Sequence, residues 1–162
     1  KIHLIIVSIC LNSGKVCYLD HIKNPELKLI KAIRMSSSIP GIFPPVEHEG
    51  KLYIDGALID NNPIHLLGDD AWGICQSVDS ESEIEEIKNM FDYSMYIIRT
   101  IYNNVNSVKR KCNQKLIKIE IDISVTSFDI TKDIKLELIR QGMESTRIQL
   151  NHHKLINSII HI

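Results

Sequence analysis

Residues 36–63 read SSSIPGIFPPVEHEGKLYIDGALIDNNP and are the most informative part of the chain. Within them, the short apolar run from Lys51 to Ile54 is followed at once by Asp55 and Gly56. A strand that ends in this way predicts a carboxylate at the carboxyl end of the strand, where open α/β sheets bind their ligands. Gly56 allows a sharp turn beside that carboxylate. An acid that is held there and partly desolvated could act as a base, although Asp-Gly taken alone is more often a hairpin turn.

The segments around this stretch alternate between strand and helix patterns, which favours an α/β fold. The run from His3 to Cys10 is rich in Ile and Val, as is typical of a strand buried on both faces. Ser13-Gly14 is a turn signal, and Asn62-Pro63 is a helix-start signal. Further strands are predicted at 15–19, 51–54, 71–75 and 116–123, with a loop at 42–49. Helices are predicted from 24 to about 39, from 81 to about 109 and from 134 to about 150, and another helix is expected to begin near 63.

We expect a three-layer α/β/α architecture with a mostly parallel sheet, in a single domain that spans residues 1–162. Asp55 should then lie beside the first strand. The predicted core residues are Ile5, Ile6, Val7, Ile54, Ile74 and Ile119.

Composition and charge exclude several classes of protein. A net charge of -1 argues against a nucleic-acid binder, which normally carries a basic stripe. Apolar runs such as Leu4 to Leu11 fall far short of the roughly 18 residues that a membrane span requires. The chain has neither a C-x-x-C pair nor an H-E-x-x-H motif, so we expect no metal and no cofactor.

The cysteines and the N-terminus bear on location. Cys10 and Cys17 could face each other across the predicted hairpin as a disulfide, although reduced thiols in a cytoplasmic protein are the favoured interpretation. No signal peptide is expected, because Lys1 leads straight into a strand-like run. Since natural chains start with Met, Lys1 also predicts that an upstream part precedes this one.

The order of motifs in residues 32–63 resembles the patatin-like phospholipases. In that family a Ser-Ser-x-Ile-Pro-x-x-Phe-Pro-Pro stretch precedes Tyr-x-Asp-Gly-Gly/Ala and then Asn-x-Pro, and the spacing and residue types match here. The later segment from Leu138 to Gly142, with Thr146 and Phe128, is similar too. The resemblance implies a patatin-like α/β fold that is truncated at its N-terminus.

The resemblance also implies a serine–aspartate dyad that hydrolyses phospholipid or another acyl lipid. Asp55 would match the aspartate that takes the proton of the serine, within the motif Asp55-Gly56-Ala57. The residues that would shape the site around it are Ser37, Ser38, Pro40, Asn62 and Pro63. Peripheral contact with a membrane fits a lipid substrate, and the basic run Lys109-Arg110-Lys111 could touch anionic head groups, although a solvated helix end is its simpler interpretation.

The chain departs from the family in two decisive respects, because it has neither a nucleophile elbow nor an oxyanion loop. None of its seven glycines begins a Gly-x-Ser-x-Gly sequence, and no glycine cluster could form an oxyanion loop. In the family both elements lie N-terminal to the part seen here. Either they belong to an upstream half, or this is a catalytically dead remnant that binds lipid or protein. His65, His152 and His153 follow Asp55 as a classical triad would require, but surface histidines are the favoured interpretation.

Overall fold

The computed structural model describes residues 2–68, 70–77, 86–110, 115–120 and 129–160. Contacts divide the chain into two compact units. The first unit consists of Lys1–Pro63 with Ile84–Cys112, and the second of Ile64–Glu83 with Asn113–Ile162.

Helices and strands are mixed along the chain, as an α/β fold requires. The first unit holds β1 (Ile6–Cys10), β2 (Lys15–Leu19), α1 (Leu29–Ser36), β3 (Val46–His48), β4 (Lys51–Asp55), α2 (Ala57–Asp60) and α3 (Met90–Arg110). The second holds a 3₁₀ turn (Ile64–Leu66), β5 (Trp72–Ser77), β6 (Lys115–Glu120) and α4 (Lys132–Ile160).

The four-stranded sheet of the first unit is antiparallel throughout, in the order β2-β1-β4-β3. The prediction of a mostly parallel sheet is therefore wrong for this sheet. The reason lies in the connections, since short turns join β1 to β2 and β3 to β4 and can only reverse the chain. Gly14 supplies the positive φ of the first turn, as predicted, and Glu49-Gly50, both with positive φ, form the second. Strand β3 occupies part of the predicted loop 42–49.

The two faces of this sheet are covered differently. Cross-strand pairs place Ile6, Cys17 and Leu19 on one face, where α1 packs through Ala32 and Met35. The opposite face carries Val7, Ile9, Tyr18 and Ile54. Residues 7–10 of β1 are all buried, so the prediction of a strand covered on both faces is confirmed there. Ile5 and Ile6 are only half-buried.

The second unit is built on the parallel pair β5–β6. Helix α4 packs on β6, where the Gln149 side chain both accepts from the Lys118 N–H (2.9 Å) and donates to its carbonyl (2.7 Å). Ile117 is 5% exposed, whereas its neighbour Ile74 on β5 is 67% exposed. The predicted burial of Ile74 is therefore wrong, because α4 packs on β6 and leaves that side chain uncovered. Ile119 is half-buried.

Two helix starts also differ from the sequence prediction. Helix α1 begins at Leu29 rather than at Asn24, because the Asp20 carboxylate accepts the N–H groups of Ile22 (2.8 Å) and Lys23 (2.7 Å) and holds a turn there. The helix expected from Pro63 is only the 3₁₀ turn.

The remaining elements and the cysteines agree in outline. Helix α3 ends one residue beyond the predicted 109 but begins only at Met90, so the helix predicted for 86–89 is wrong there, and 81–85 lie outside the described residues. Helix α4 runs past 150 into the tail, for which the sequence predicts a helical or frayed segment. Residues 121–123 of the predicted last strand also lie outside the described part. Cys10 pairs in register with Lys15 and Cys17 with Ser8, and both thiols are free, so the alternative of a disulfide between them is wrong.

Candidate functional site

Asp55 ends β4 and is paired in register with Ser8 of β1. Its predicted position, at the carboxyl end of a strand and beside the first strand, is confirmed. Its own N–H donates to the Ser38 carbonyl at 3.0 Å, so the segment that follows α1 is tied directly to the aspartate. On the other side, the Ala57 N–H donates to Asp55 Oδ1 at 2.8 Å and fixes the rotamer of the carboxylate. No described residue donates a hydrogen bond to Oδ2.

Gly56 is required at this site for space rather than for conformation. Its φ of -72° and ψ of -24° are open to any residue. A Cβ atom placed there would lie 2.5 Å from the backbone carbon of Val7 and 2.6 Å from its carbonyl oxygen. Those distances are well inside van der Waals contact, so any larger residue would push β1 away from the turn that carries Asp55.

Burial determines the electrostatics of Asp55. The residue is half-buried, and desolvation raises the pKa of its carboxyl above the ordinary value, while the Ala57 N–H opposes that change in part. A raised pKa makes the ionised carboxylate a stronger proton acceptor than a solvated aspartate. The arrangement therefore suits a general base.

The serines that were predicted to shape the site form hydrogen bonds with the last turn of α1. The Ser38 hydroxyl donates to the Arg34 carbonyl at 2.7 Å and is 2% exposed, while the Ser37 hydroxyl donates to the Ile33 carbonyl at 3.0 Å and is exposed. The bond from Ser38 satisfies a carbonyl at the end of the helix, whereas the Ile33 carbonyl also accepts the N–H of Ser37 at 3.0 Å. The structure thus brings Ser38 to Asp55 through its backbone, and gives Ser37 no contact with it among the described hydrogen bonds.

Pro40 and its neighbour form the turn that follows these serines. Pro40 is half-buried, and Gly41 adopts a φ of +83°, which favours glycine. A Cβ atom on Gly41 would lie 2.5 Å from the Met95 sulfur of α3, so this turn packs closely against that helix.

The predicted residues Asn62 and Pro63 follow α2 and are half-buried. The side-chain Nδ2 of Asn62 is buried and has no hydrogen-bond partner among the described residues. The described hydrogen bonds do not join either residue to Asp55, so their part in shaping the site stays a prediction.

Two polar groups near the site were not singled out from the sequence. Ser8 is fully buried next to Asp55 and donates its hydroxyl to the Ile54 carbonyl at 2.7 Å. On the other face of the sheet, the Tyr18 hydroxyl donates to Asp60 Oδ2 at 2.7 Å. Burial is the larger cause and this hydrogen bond the smaller one that together raise the pKa of Tyr18 to about 12. The only signal for Ser8 was a lone polar residue within an apolar strand.

The candidate histidines belong to the second unit, and two of them have side chains outside the described part. His65 is exposed in the 3₁₀ turn of the second unit, and the side chains of His152 and His153 lie outside the described part. Among the described residues, no group of three or more His, Cys, Asp or Glu side chains could hold a metal ion. None of the described helices combines the length and the apolar character needed to cross a membrane.

The segment that carries this geometry also matches a known protein family. Residues 6–67 match the family model of the patatin-like phospholipases. The patatin match includes all four strands of the antiparallel sheet, α1, α2 and Asp55.

The chain is also similar to three curated proteins. Uncharacterized protein R571 of Acanthamoeba polyphaga mimivirus is 33% identical over 96% of this chain and 56% of its own length. Uncharacterized protein YqhO of Bacillus subtilis (strain 168) is 26% identical over 78% of this chain and 48% of its own length. Probable lipid hydrolase 463L of Invertebrate iridescent virus 6 is 27% identical over 39% of this chain and 22% of its own length. The chain thus spans about half the length of the first two relatives.

Proposed function

We propose that this chain carries the catalytic base of a lipid acyl hydrolase that uses a serine–aspartate dyad. The observation that carries the proposal is Asp55, half-buried at the carboxyl end of β4, with one oxygen fixed by the Ala57 N–H. The patatin match over residues 6–67 and the similarity to a probable lipid hydrolase support a lipid as the substrate.

In the proposed reaction, Asp55 accepts the proton of a serine hydroxyl whose oxygen attacks the carbonyl carbon of an ester. The new C–O bond forms as the carbonyl electrons move onto oxygen. When the tetrahedral intermediate collapses, the bond to the alcohol breaks and the proton passes from Asp55 to the departing alkoxide. Water then hydrolyses the acyl-serine by the same sequence of proton transfers. The serine would come from a Gly-x-Ser-x-Gly elbow outside these 162 residues, because the chain contains none.

The structure of the turn suits this role of Asp55. The pKa of its carboxyl is raised by burial, which brings its basicity closer to that needed at neutral pH. The bond from Ala57 occupies Oδ1 and leaves Oδ2 for the serine. The close contact between Gly56 and Val7 holds the carboxylate against the sheet, so the base does not have to be ordered during the reaction.

The test is ester hydrolysis by the purified full-length protein and by an Asp55→Asn variant. Asn keeps the size of the side chain and an oxygen for the Ala57 N–H but cannot take the proton. Loss of the base function in a serine hydrolase costs roughly 10⁴ in rate, and we expect a loss of that order. The matched control is Asp92→Asn on α3, which should retain full activity. The 162-residue chain alone should not hydrolyse phospholipid or p-nitrophenyl esters above background.

Histidine variants separate the dyad from a triad. His65→Ala, His152→Ala and His153→Ala should each keep most of the activity, since a dyad needs no histidine. Full activity in Asp55→Asn, or a collapse in one histidine variant, would replace the dyad with another mechanism.

The second candidate function is a catalytically dead module that binds lipid or protein. It is favoured by the absence of Gly-x-Ser-x-Gly from the 162 residues. The sequence upstream of Lys1 in the gene distinguishes the two. A nucleophile elbow about a hundred or more residues before Asp55 supports the enzyme, and a coding region without one supports the module.

A further inference from the structure

Helix α1 is apolar on both its inner and its outer side. Its inner side consists of Ala32 and Met35, which are 5% and 0% exposed against the sheet. Its outer face, defined here as Leu29, Ile30, Ile33 and Arg34, carries three large aliphatic side chains that are 56%, 72% and 46% exposed. A surface helix normally presents polar residues to water, so three exposed aliphatic side chains on the side away from the sheet are unusual. The outer face therefore calls for a partner.

The charges around the outer face indicate which partner. Within α1 the charged residues are Lys31 and Arg34, the residue before the helix is Lys28, and no carboxylate is present. Between residues 21 and 39 the only acidic side chain is Glu26, against four Lys and Arg, although the whole chain has a net charge of -1. Of the four α-helices that the structure describes, α1 is the one that has cations and no acid.

We propose that the outer face of α1 docks on an anionic phospholipid surface. Aliphatic side chains rimmed by lysine and arginine are the combination by which proteins bind the interface of a bilayer without crossing it. Each Lys or Arg near an anionic leaflet strengthens binding about fivefold, so the local excess of cations suits a surface of anionic lipid. The docking is independent of whether the protein hydrolyses lipid.

Docking through α1 would also position the candidate base. Ser38, two residues beyond the end of α1, accepts the Asp55 N–H through its carbonyl at 3.0 Å. The helix itself has eight residues, which corresponds to about 12 Å. The helix that would contact the bilayer is therefore connected to Asp55 through Ser37 and one backbone hydrogen bond.

The experiment is co-sedimentation of the full-length protein with two kinds of vesicle. One consists of diether phosphatidylcholine alone, and the other contains in addition about 30% diether phosphatidylserine. These lipids carry no ester, so binding is read without turnover and does not depend on the proposed hydrolysis. We expect binding to the vesicles that contain phosphatidylserine, weakened when salt is raised from 0.1 to 0.5 M because the Debye length shortens. Ile30→Ser should lower the partition coefficient on the order of tenfold, and Arg34→Gln about fivefold.

Matched controls come from the hairpin of the same unit. Leu11 is 47% exposed and Lys15 is exposed, so Leu11→Ser and Lys15→Gln repeat the two changes away from α1. Each should change binding less than twofold. Equal binding to neutral and anionic vesicles, or equal losses in the hairpin and α1 variants, would overturn the proposal. A concentration-dependent dimer that Ile30→Ser dissociates, in a protein that leaves the vesicles unbound, would assign the outer face to a second copy and overturn it as well.

Discussion

Replacing Gly56 by alanine tests the central packing contact of the site. The added Cβ atom would lie 2.5 Å from the Val7 backbone carbon, where ordinary contact begins at 3.4 Å. Strand β1 or the turn must therefore move by about 1 Å. Val7 offers backbone rather than a flexible side-chain end at this point, so the neighbour cannot rotate away.

The size of the effect follows from two opposing contributions. Overpacking of this kind lowers the free energy of unfolding by about 1–3 kcal/mol. Because the neighbour is the Val7 backbone, which cannot rotate away, we expect a value near the top of that range. Alanine recovers about 0.5–1 kcal/mol, because the helical φ and ψ of Gly56 suit it better than glycine. We expect a net loss of about 2 kcal/mol in the free energy of unfolding, equivalent to roughly 4–8 °C in Tm for a chain of this size.

The assay is urea unfolding of Gly56→Ala beside two glycine controls. At Gly68 an added Cβ atom would meet open space and the φ is ordinary, so the free energy of unfolding of Gly68→Ala should lie within about 0.5 kcal/mol of the wild-type value. Gly50→Ala has open space but a φ of +70°, so it should lose about 1 kcal/mol through conformation alone. A loss in Gly56→Ala no greater than that in Gly50→Ala would refute the steric argument.

Three further predictions concern buried polar groups. Because burial raises the pKa of Asp55, the folded protein holds this proton to higher pH than the unfolded chain, and stability is lost as pH rises through the raised value. Asp55→Asn should therefore unfold at higher urea than the wild type at pH 7, and the difference should vanish near pH 3. Tyr18→Phe should lose about 1–3 kcal/mol at pH 7 with the bond to Asp60. The stability gap between wild type and variant should narrow from pH 10 to pH 12 in denaturation at each pH, because the unfolded chain ionises Tyr18 near pH 10 whereas the folded protein holds that proton to about pH 12. Ser8→Ala should lose about 1–2 kcal/mol because its buried bond to a carbonyl disappears, whereas the exposed Ser37→Ala should lose less than about 0.5 kcal/mol in the same assay.

Local chemistry in the sequence was enough to predict the principal features around Asp55. The apolar run that ends in Asp-Gly predicted the strand and its terminal carboxylate, and Ser13-Gly14 predicted the first hairpin. Periodic apolar residues predicted the existence of α3 and α4, and they placed the end of α3 and the start of α4 to within two residues. These features depend on neighbours in the chain, so they can be read without knowing the fold.

Tertiary structure alone decided the features that depend on residues far apart in the chain. The antiparallel order β2-β1-β4-β3, the exposure of Ile74 and the buried Ser8 beside Asp55 follow from which strand lies next to which, and alternation within a strand does not specify that. The role of Gly56 is the clearest case. Its backbone conformation is ordinary, so the sequence suggests only a turn, and glycine is needed there because the pairing of β1 with β4 brings the Val7 backbone into the space that a side chain would fill.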